Sequence, residues 1–449
     1  MKLYKHQEDG VAWLLGLERG MLADEQGLGK TITAIRAFDL LDAPRVLVIV
    51  PTVVLFNWEA EVGLWAPGRT VQVLATGKDD LRPDVDVVVV THGLLLRPWI
   101  REQLKRGLPR PEGSPVWSVA VLDEAHGFKS HEAKRSLAFY NELAPRCDRV
   151  WLMTGTPCPN NVGELWTHLR GLEPWRIELD GQVMSEPRFV DRFCITRETQ
   201  YGRKITGNRK DRLPELKKRL DGFILRRLKS KVLKDLPPIR FETVHLRPLK
   251  LGNALAAIEA QVSARVAEEL EGAGDAGEVF ERLKDAEDFT RFRRLCGLAK
   301  AEPVGDLVWQ ELEEGGLEKV VVFAWHKDVI ELLAKKLERF GVRTITGATP
   351  ALERRASVEA FQTSPRVRVI VANIVAGGVG ITLTAAADVV FAEQSWTPGD
   401  NAQASDRCHR IGQTERVRVR FAWLAGTIDE AVTASLRTKS AMIREVLGE

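Results

Sequence analysis

A glycine-rich turn between an apolar run and a helical pattern constrains this chain more than any other feature. Residues 20–38 read GMLADEQGLGKTITAIRAF, so a buried strand is expected to end at Asp24 and a helix to begin at Lys30. Gly27 and Gly29 let backbone N–H groups approach an anion without a Cβ in the way, and the helix N-terminus adds partial positive charge. The pattern predicts a phosphate-binding loop.

Two side chains at the start of the predicted helix carry the chemistry of this loop. Lys30 offers a positive charge to the β- and γ-phosphates of a nucleotide, and Thr31 offers a hydroxyl to Mg²⁺. The general motif G-x-x-x-x-G-K-[ST] fails by one residue, because Asp24 stands where its first glycine should be. The alternative is an ordinary helix cap and turn, so the rest of the chain has to decide.

Composition sets broad limits on the protein class. The chain has 449 residues, enough for two or three domains, and its 44% hydrophobic and 28% charged residues are typical of a globular protein. The net charge of +3 does not indicate a nucleic-acid binder by itself. Five scattered cysteines predict reduced intracellular thiols, with neither a disulfide framework nor a zinc site. No apolar run is long enough for a membrane span, and we expect no membrane partner.

Short runs rich in Val and Ile alternate with amphipathic stretches in both halves of the chain. This alternation predicts an α/β fold with two parallel sheets, each strand buried on both faces. Strands are predicted at residues 45–50, 85–90, 116–122, 149–153, 319–324, 343–345, 367–372, 388–391 and 417–423.

The same alternation suggests how the chain divides. A basic region at 203–234 and the pair Pro237–Pro238 separate the two halves, which resemble each other in pattern. We predict lobe 1 at 1–172, a basic helical protrusion at 173–222, an inter-lobe linker at 223–248, a helical insertion at 249–300, lobe 2 at 301–427 and a C-terminal helix at 428–449.

Acidic and hydroxyl side chains follow two of the predicted strands. Asp123 and Glu124 lie at the carboxyl end of a strand, where parallel sheets bind ligands. Asp123 can hold Mg²⁺, and Glu124 can orient or deprotonate an attacking water. The alternative is a surface acidic pair that opens a helix. Thr154 and Thr156 follow a later strand and are candidates for sensing the phosphate site, although the same string also occurs in ordinary turns.

An arginine pair in the second half completes the set. Residues 403–413 read QASDRCHRIGQ, which predicts Arg407 and Arg410 on one face of a helix. Arginine stabilises the charge that develops in a phosphoryl transition state. The alternative is a solvated helical face. We expect closure of a crevice between the lobes to bring both arginines to a nucleotide held by lobe 1.

Taken in order, these stretches resemble the switch/sucrose-nonfermenting (Snf-type) ATPases of helicase superfamily two. The family form of the loop is D-E-x-G-L-G-K-T, which explains Asp24. The resemblance extends from the glutamine motif around Gln7 to the last motif, and it is most similar to the annealing-helicase-type subgroup. Its further motifs are PTVVLFNWEAE at 51–61, DEAH at 123–126, TGTP at 154–157, LRRLKSKVLKDLP at 225–237, AGGVGITL at 376–383 and WTPGDNAQASDRCHRIGQ at 396–413.

The resemblance implies two RecA-like lobes with helical protrusions, ATP and Mg²⁺ in a cleft between them, and movement along duplex DNA. ATP would be bound by Gln7, Gly27, Leu28, Gly29, Lys30, Thr31 and Gln403, and the metal by Thr31 and Asp123. Glu124, Lys30, Arg407 and Arg410 would be catalytic. Residues that would couple hydrolysis to DNA are His126, Thr154, Thr156 and Gly380.

DNA contacts are expected mainly with phosphates, at Thr91, His92, Lys129, Arg226, Arg227, Lys229, Gly377 and Gly378. Two departures from the family pattern bear on these contacts. Thr397 stands where Asn is usual, and His92 stands where an aromatic residue is frequent.

Two alternatives are carried forward: an RNA helicase of the D-E-A-H type, and a non-hydrolysing, nucleotide-gated DNA clamp. The expected partner is double-stranded or forked DNA, in a role such as DNA repair, and the default state is a monomer. The chain begins at the first motif and ends just past the last, so we expect a recruiting protein to supply any targeting. The richness in Ala, Val, Arg and Gly suggests a bacterial or phage protein, located in the cytoplasm with the nucleoid.

Overall fold

The chain divides into two compact units, with lobe 1 running to Lys234 and lobe 2 beginning at Asp235. The computed structural model describes residues 2–109, 111–113, 115–159, 161–199, 202–246, 253–273, 287–378, 380–395, 398–424, 427 and 429.

Lobe 1 is built on a seven-stranded sheet in which every neighbouring pair is parallel, in the order β11-β1-β6-β5-β2-β4-β3. Its strands and two small hairpins are β1 Arg19–Leu22, β2 Val46–Val50, β3 Val71–Leu74, β4 Val87–Thr91, β5 Trp117–Asp123, β6 Cys147–Met153, β7 Glu178–Leu179, β8 Gln182–Val183, β9 Cys194–Thr199, β10 Gly202–Asn208 and β11 Ile224–Leu225.

Helices cover this sheet. The predicted strands of lobe 1 agree with the observed ones to within two residues at each end, because β2 and β4 are buried along their whole length and read as unbroken apolar runs. The helices are α1 Lys5–Leu15, α2 Lys30–Leu40, α3 Leu55–Trp65, α4 Pro98–Arg106, α5 Lys134–Leu137, α6 Leu165–Leu172, α7 Glu186–Phe193, α8 Leu213–Leu220 and α9 Lys229–Val232.

Lobe 2 contains a six-stranded parallel sheet in the order β12-β17-β16-β13-β15-β14. Numbered within each lobe, this is the order of β1-β6-β5-β2-β4-β3, so the predicted likeness of the two halves extends to their topology. The described elements are β12 Ile239–Leu246, α10 Asn253–Ala273, α11 Glu287–Glu313, β13 Val320–Ala324, α12 Lys327–Lys336, β14 Val342–Ile345, α13 Ala351–Thr363, β15 Val369–Asn373, α14 Ile374–Gly377, β16 Asp388–Phe391, α15 Pro398–Ser405 and β17 Val417–Leu424.

The segment 173–222 differs from the expected helical protrusion. It contains helices α7 and α8, but between them β9 and β10 form an antiparallel hairpin. Phe189, Phe193 and Leu216 are buried in the core cluster of lobe 1, so the segment packs on the lobe through its apolar side chains. Polar residues stand on both faces of β9 and β10, so the sequence there lacks the apolar–polar alternation that indicates a strand.

The expected linker at 223–248 is also wrong. Its first part, β11, pairs in parallel with β1 in lobe 1, and its last part, β12, pairs in parallel with β17 in lobe 2. Among the described residues, those between β11 and β12 run from lobe 1 into lobe 2. A two-residue strand and a half-exposed edge strand carry too little apolar periodicity to be recognised in the sequence.

Helix α10 and the first part of α11 lie within the predicted helical insertion at 249–300. Helix α11 continues to Glu313 through Pro303, where a proline would ordinarily end a helix. Val304 and Val308 are fully buried in the core of lobe 2, and this burial keeps the helix going. The predicted C-terminal helix at 428–449 lies mostly outside the described residues. Within the described part, no helix is long and apolar enough to cross a membrane.

Candidate functional site

The glycine-rich loop connects β1 to α2 in lobe 1. Gly27 and Gly29 both have φ of 82°, and Gly29 is the N-cap of α2. A left-handed backbone favours glycine, and a Cβ at Gly29 would in addition collide with the side-chain amide of Gln7. The loop therefore requires glycine at this position for two independent reasons.

Side chains around the loop fix its position. Gln7 donates from Nε2 to the Leu28 carbonyl at 3.2 Å and accepts the Tyr4 N–H at 3.0 Å. Lys30 Nζ donates to the Asp24 carbonyl at 2.7 Å. Burial lowers the pKa of Lys30, while Glu124 and the nearby aspartates oppose this effect. A lysine held this way places a compact positive charge beside the loop.

The acidic pair lies at the end of β5, as predicted. Asp123 accepts the indole N–H of Trp58 at 3.0 Å and the backbone N–H of Glu124 at 2.9 Å. Burial, followed by the neighbouring Glu124, raises the pKa of Asp123 to about 6. A buried carboxylate beside a second carboxylate is an environment that a cation would stabilise.

A chain of contacts leads from the acidic pair to the turn after β6. The Nδ1 atom of His126 lies 3.2 Å from Glu124 Oε2 and 3.1 Å from Thr154 Oγ1. Thr154 Oγ1 also accepts the backbone N–H of Thr156 at 3.1 Å. The structure thus brings the two carboxylates, His126 and the predicted hydroxyl residues into one cluster.

Three residues expected at DNA have different surroundings in lobe 1. His92 donates from Nε2 to the Asp123 carbonyl at 2.9 Å and packs edge-on against Phe128. Burial lowers the pKa of His92 to about 4. Thr91 is buried, and Lys129 forms an ion pair with Glu164.

The basic residues 226, 227 and 229 contact the chain around the phosphate loop, and their expected role at DNA stays a prediction. Arg227 pairs with buried Asp24, and Arg226 donates to the carbonyls of Ala23 and Gly155 at 2.8 and 3.1 Å. Lys229 is only 3% exposed. Composition marks these residues as basic, but only the fold shows that Arg226 and Arg227 are half-buried in lobe 1 and that Lys229 is buried there.

In lobe 2, the arginine pair does not lie on a helix. Helix α15 ends at Ser405, and the chain then tightens into turns, with Arg407 N–H bonded to the Ala404 carbonyl at 3.1 Å. Arg410 donates to the Ile381 carbonyl at 3.2 Å. The side-chain amide of Gln413 bonds three carbonyls of this region, and these bonds favour the turn over a continued helix. The prediction that Arg407 and Arg410 share one face of a helix is therefore wrong.

The glycine turn of lobe 2 follows β15. Asn373 caps the short helix α14 by accepting two backbone N–H groups, and its amide donates to the Trp325 carbonyl at 2.8 Å. Gly377 ends that helix, a Cβ at Gly378 would come within 2.6 Å of the Ile374 carbonyl, and Gly380 has φ of 71°. Close backbone approach explains why glycines stand here.

Family models match both halves of the chain. The SNF2-related domain matches residues 6–255, and the helicase conserved C-terminal domain matches residues 300–412. The chain belongs to the SNF2-related family. The predicted resemblance to Snf-type ATPases is therefore confirmed.

Similar proteins agree over nearly the whole chain. The "DNA annealing helicase and endonuclease ZRANB3" of Mus musculus is 32% identical over 99% of this chain and 41% of its own length. A "SWI/SNF-related matrix-associated actin-dependent regulator of chromatin subfamily A-like protein 1" from Xenopus tropicalis is 31% identical over 97% of this chain and 44% of its own length. The chain thus spans about two fifths of these relatives.

A solved structure is also similar, the "Sulfolobus solfataricus SWI2/SNF2 ATPase core in complex with dsDNA". It is 26% identical, with a TM-score of 0.45, and the likeness covers 99% of this chain and 93% of that chain.

Reading the sequence did not find several contacts of this SNF2-related site. Trp58 belongs to the motif at 51–61, but nothing in that motif predicts that its indole N–H bonds Asp123. The Asp24–Arg227 ion pair was also missed. One signal for it existed: an acidic residue in place of the motif's first glycine needs a positively charged partner when it is buried.

Proposed function

We propose that this chain hydrolyses ATP and uses the energy to move along double-stranded or forked DNA, remodelling it or reannealing its strands. The observation that carries the proposal is the grouping of Lys30, Asp123 and Glu124 at the strand ends of lobe 1, in a chain of the SNF2-related family. The acidic pair, the lysine and the glycine loop are all present, which is the equipment that phosphoryl transfer to water requires.

The residues of lobe 1 fit ATP and Mg²⁺. The left-handed glycines leave the loop backbone accessible to phosphate oxygens, and Lys30 lies beside it. Thr31 and Asp123 would hold Mg²⁺, which typically binds one or two protein ligands together with substrate phosphates. When bound, the metal would neutralise charge on the phosphates. Among the described residues, no cluster of three or more His, Cys, Asp or Glu offers an all-protein metal site.

Each remaining residue of the set has a proposed task. Glu124 orients the attacking water and takes its proton. Gln7 contacts the adenine, and His126 with Thr154 passes the state of the site to the DNA-binding parts. Arg407 and Arg410 stabilise the charge on the phosphoryl group in the transition state.

DNA binding is proposed to depend on phosphate contacts. In the basic region, the exposed side chains include Arg209, Lys210, Lys217 and Lys218, and they are better placed for this task than the interior arginines. A protein with six or more such contacts loses about 10³-fold in affinity between 50 and 200 mM salt.

We further propose that the chain acts as a monomer recruited to DNA by a protein partner. The proposed location is the nucleoid of a bacterial or phage-infected cell, as the composition suggests. The two relatives named above come from animals, so this origin is a prediction from the sequence.

The test is ATP hydrolysis without nucleic acid and with duplex DNA, forked DNA, single strands or RNA. We expect strong stimulation by duplex or forked DNA. Glu124→Gln should lower the stimulated kcat by about 10²–10⁴-fold, and Arg410→Ala by about 10³-fold. Glu142→Gln, a surface carboxylate of lobe 1 paired with Arg101 and Lys105, should leave kcat unchanged.

Each alternative has its own signature in this experiment. Stimulation by RNA alone would support an RNA helicase of the D-E-A-H type. Nucleotide binding without hydrolysis under every condition would support the clamp. DNA affinity that does not change with salt would contradict the proposed phosphate contacts.

A further inference from the structure

We propose that Arg227 is a positioning residue for ATP binding, which holds the phosphate loop and helix α1 in their binding geometry through its ion pair with Asp24. The inference rests on the proposed ATPase function and adds a residue to it. Arg227 lies about two hundred positions along the chain from the loop, in a segment that was expected to contact DNA.

The ion pair is bidentate and buried. Arg227 donates from Nε to Asp24 Oδ1 at 2.9 Å and from Nη2 to Asp24 Oδ2 at 2.5 Å. The Asp24 side chain is 2% exposed, and that of Arg227 is 15% exposed. A planar guanidinium that meets a carboxylate in this way fixes its orientation as well as its distance.

The backbone beside this pair continues the sheet as far as the loop. Phe223, Leu225 and Arg227 accept the N–H groups of Met21, Ala23 and Glu25 at 2.7, 2.8 and 2.9 Å. Lys229 then donates its own N–H to Glu25 Oε2 at 2.6 Å. The segment 223–229 therefore supports the chain from the middle of β1 to the first residues of the phosphate loop.

Arg227 also reaches the helix that carries Gln7. Its third nitrogen, Nη1, donates to the His6 carbonyl. His6 in turn donates from Nε2 to the Leu28 carbonyl at 3.0 Å, and Gln7 bonds the same carbonyl. One guanidinium thus connects the start of the loop with the helix that faces its tip.

Helix α1 is shaped to admit this side chain. A Cβ at Gly10 would lie 2.8 Å from Arg227 Nη2 and 2.9 Å from Thr33 Cγ2. The glycine leaves space for the guanidinium between α1 and α2. It is a second, separate sign that the position of Arg227 matters to the structure around the loop.

If the pair only stabilised the fold, breaking it would reduce the amount of folded protein and leave the active site of the remainder intact. If it positions the loop, breaking it weakens nucleotide binding in the folded molecules. A contact that supports ground state and transition state equally changes KM and leaves kcat unchanged. Whether the substitution changes KM, kcat or neither therefore distinguishes the two roles.

The experiment compares Arg227→Gln, Arg227→Lys, Asp24→Asn and the double variant Asp24→Asn/Arg227→Gln in the full chain. Steady-state ATP hydrolysis with duplex DNA gives KM and kcat, and a fluorescent ADP analogue gives Kd. We expect KM and Kd to rise about tenfold or more in Arg227→Gln, with kcat within about threefold of the native value. Arg227→Lys should restore part of the loss, because it keeps the charge but not the fork.

The double variant tests whether the two residues act as one pair. We expect its Kd to be close to that of the worse single variant, because the second substitution removes a group whose partner has already gone. If the fold-increase in Kd of the double variant equals the product of the two single fold-increases, the residues act independently, and this would overturn the pairing.

Arg192 provides a matched control in the same lobe. It donates from Nε and Nη2 to the two oxygens of Glu215, each at 2.8 Å, in the same bidentate form. Arg192→Gln should lower the melting temperature and leave KM and Kd unchanged.

Three further outcomes would overturn the inference. Arg227→Gln and Arg227→Lys with native KM and Kd would make the pair purely structural, and a loss confined to kcat would contradict a role in binding. A native chain that binds no nucleotide would remove the proposed function and this inference together. That last outcome is visible in the native chain alone, so the two failures are distinguishable.

Discussion

The two sheets share one strand order, yet they differ at the edge where each begins. In lobe 1, β1 lies between β6 and β11 and is buried along three of its four residues. Its counterpart in lobe 2, β12, has only β17 as a neighbour among the described strands, and most of its residues are exposed or half-buried. The extra strand β11 makes the difference.

This difference coincides with the phosphate loop. β1 leads directly into that loop, so hydrogen bonds from β11 and from Arg227 reach the residues that would hold the nucleotide. An edge strand lacks such bonds on one side and is the less rigid support. Lobe 1 thus has an added strand beside the residues that are proposed to bind the nucleotide.

The acidic residues after β5 and β16 show a second contrast between corresponding positions. Glu393 of lobe 2 accepts the N–H groups of Trp325 and His326 at 2.8 and 2.9 Å and the imidazole of His326 at 2.6 Å. It thus bonds the two residues that precede α12, and it is 4% exposed. Glu124 of lobe 1 instead has a left-handed backbone, with φ of 50°. Such strain in a non-glycine residue is typical of functional sites.

The largest effect is expected where β11 begins. Phe223 is fully buried in the core of lobe 1, so Phe223→Ala should lower the free energy of unfolding by about 3–5 kcal/mol. Phe241 on β12 is 49% exposed, and Phe241→Ala should cost less than about 1 kcal/mol. Urea unfolding measures both. Equal losses would mean that the two edges are equally supported.

An effect of intermediate size is expected on the stability of lobe 1 at acidic pH. Tyr140 Oη and His168 Nδ1 form a hydrogen bond of 2.5 Å in the interior of lobe 1, and burial lowers the pKa of His168 to about 3. The unfolded chain therefore binds a proton below a pKa of about 6.5 that the folded lobe excludes. The contribution of His168 to the free energy of unfolding is fully present above a pH of about 6.5. It falls by about 1.4 kcal/mol per pH unit on acidification toward a pH of about 3.

Urea unfolding between pH 7.5 and 5.5 tests this dependence, with His168→Gln as the control. The variant keeps an acceptor for Tyr140 but does not titrate, so its stability should fall less steeply with acid. In lobe 2, His326 instead faces a carboxylate, that of Glu393. An identical slope in native protein and variant would exclude His168 as the source.

The smallest effect is expected at two helix glycines. Replacing glycine by alanine in a helix stabilises it by about 1 kcal/mol. Gly63 in α3 has open space around a new Cβ, so Gly63→Ala should show this gain. Gly10→Ala should not, because its methyl group would press on Arg227 and Thr33. Thermal melts of both variants decide, and an equal gain would show that the space beside Gly10 is unimportant.

Much of the fold could be predicted from the sequence, and the reason is burial. Strands such as β2 and β4 are apolar on both faces, and their runs of Val and Ile cannot be mistaken. The hairpin β9–β10 and the strands β11 and β12 were missed because they are short or half-exposed. Periodicity measures burial, so it weakens wherever a strand has a solvated side.

The candidate site divides in the same way. Gly27, Gly29, Lys30, Asp123 and Glu124 could be chosen from the sequence, because local motifs place them at strand ends. The turn around Arg407 and Arg410 could not, because it depends on hydrogen bonds from Gln413 to distant carbonyls. The interior place of Lys229 likewise follows from packing and not from composition.

By itself, the sequence determined the two α/β lobes, the phosphate loop and the acidic pair, since each depends on residues close together in the chain. Only the tertiary structure decided that Asp24 is neutralised by Arg227, that Trp58 bonds Asp123 and that β11 covers β1. These contacts join residues 65 to 203 positions apart. The burial of a charge selects its partner through space, and a linear pattern carries no record of that choice.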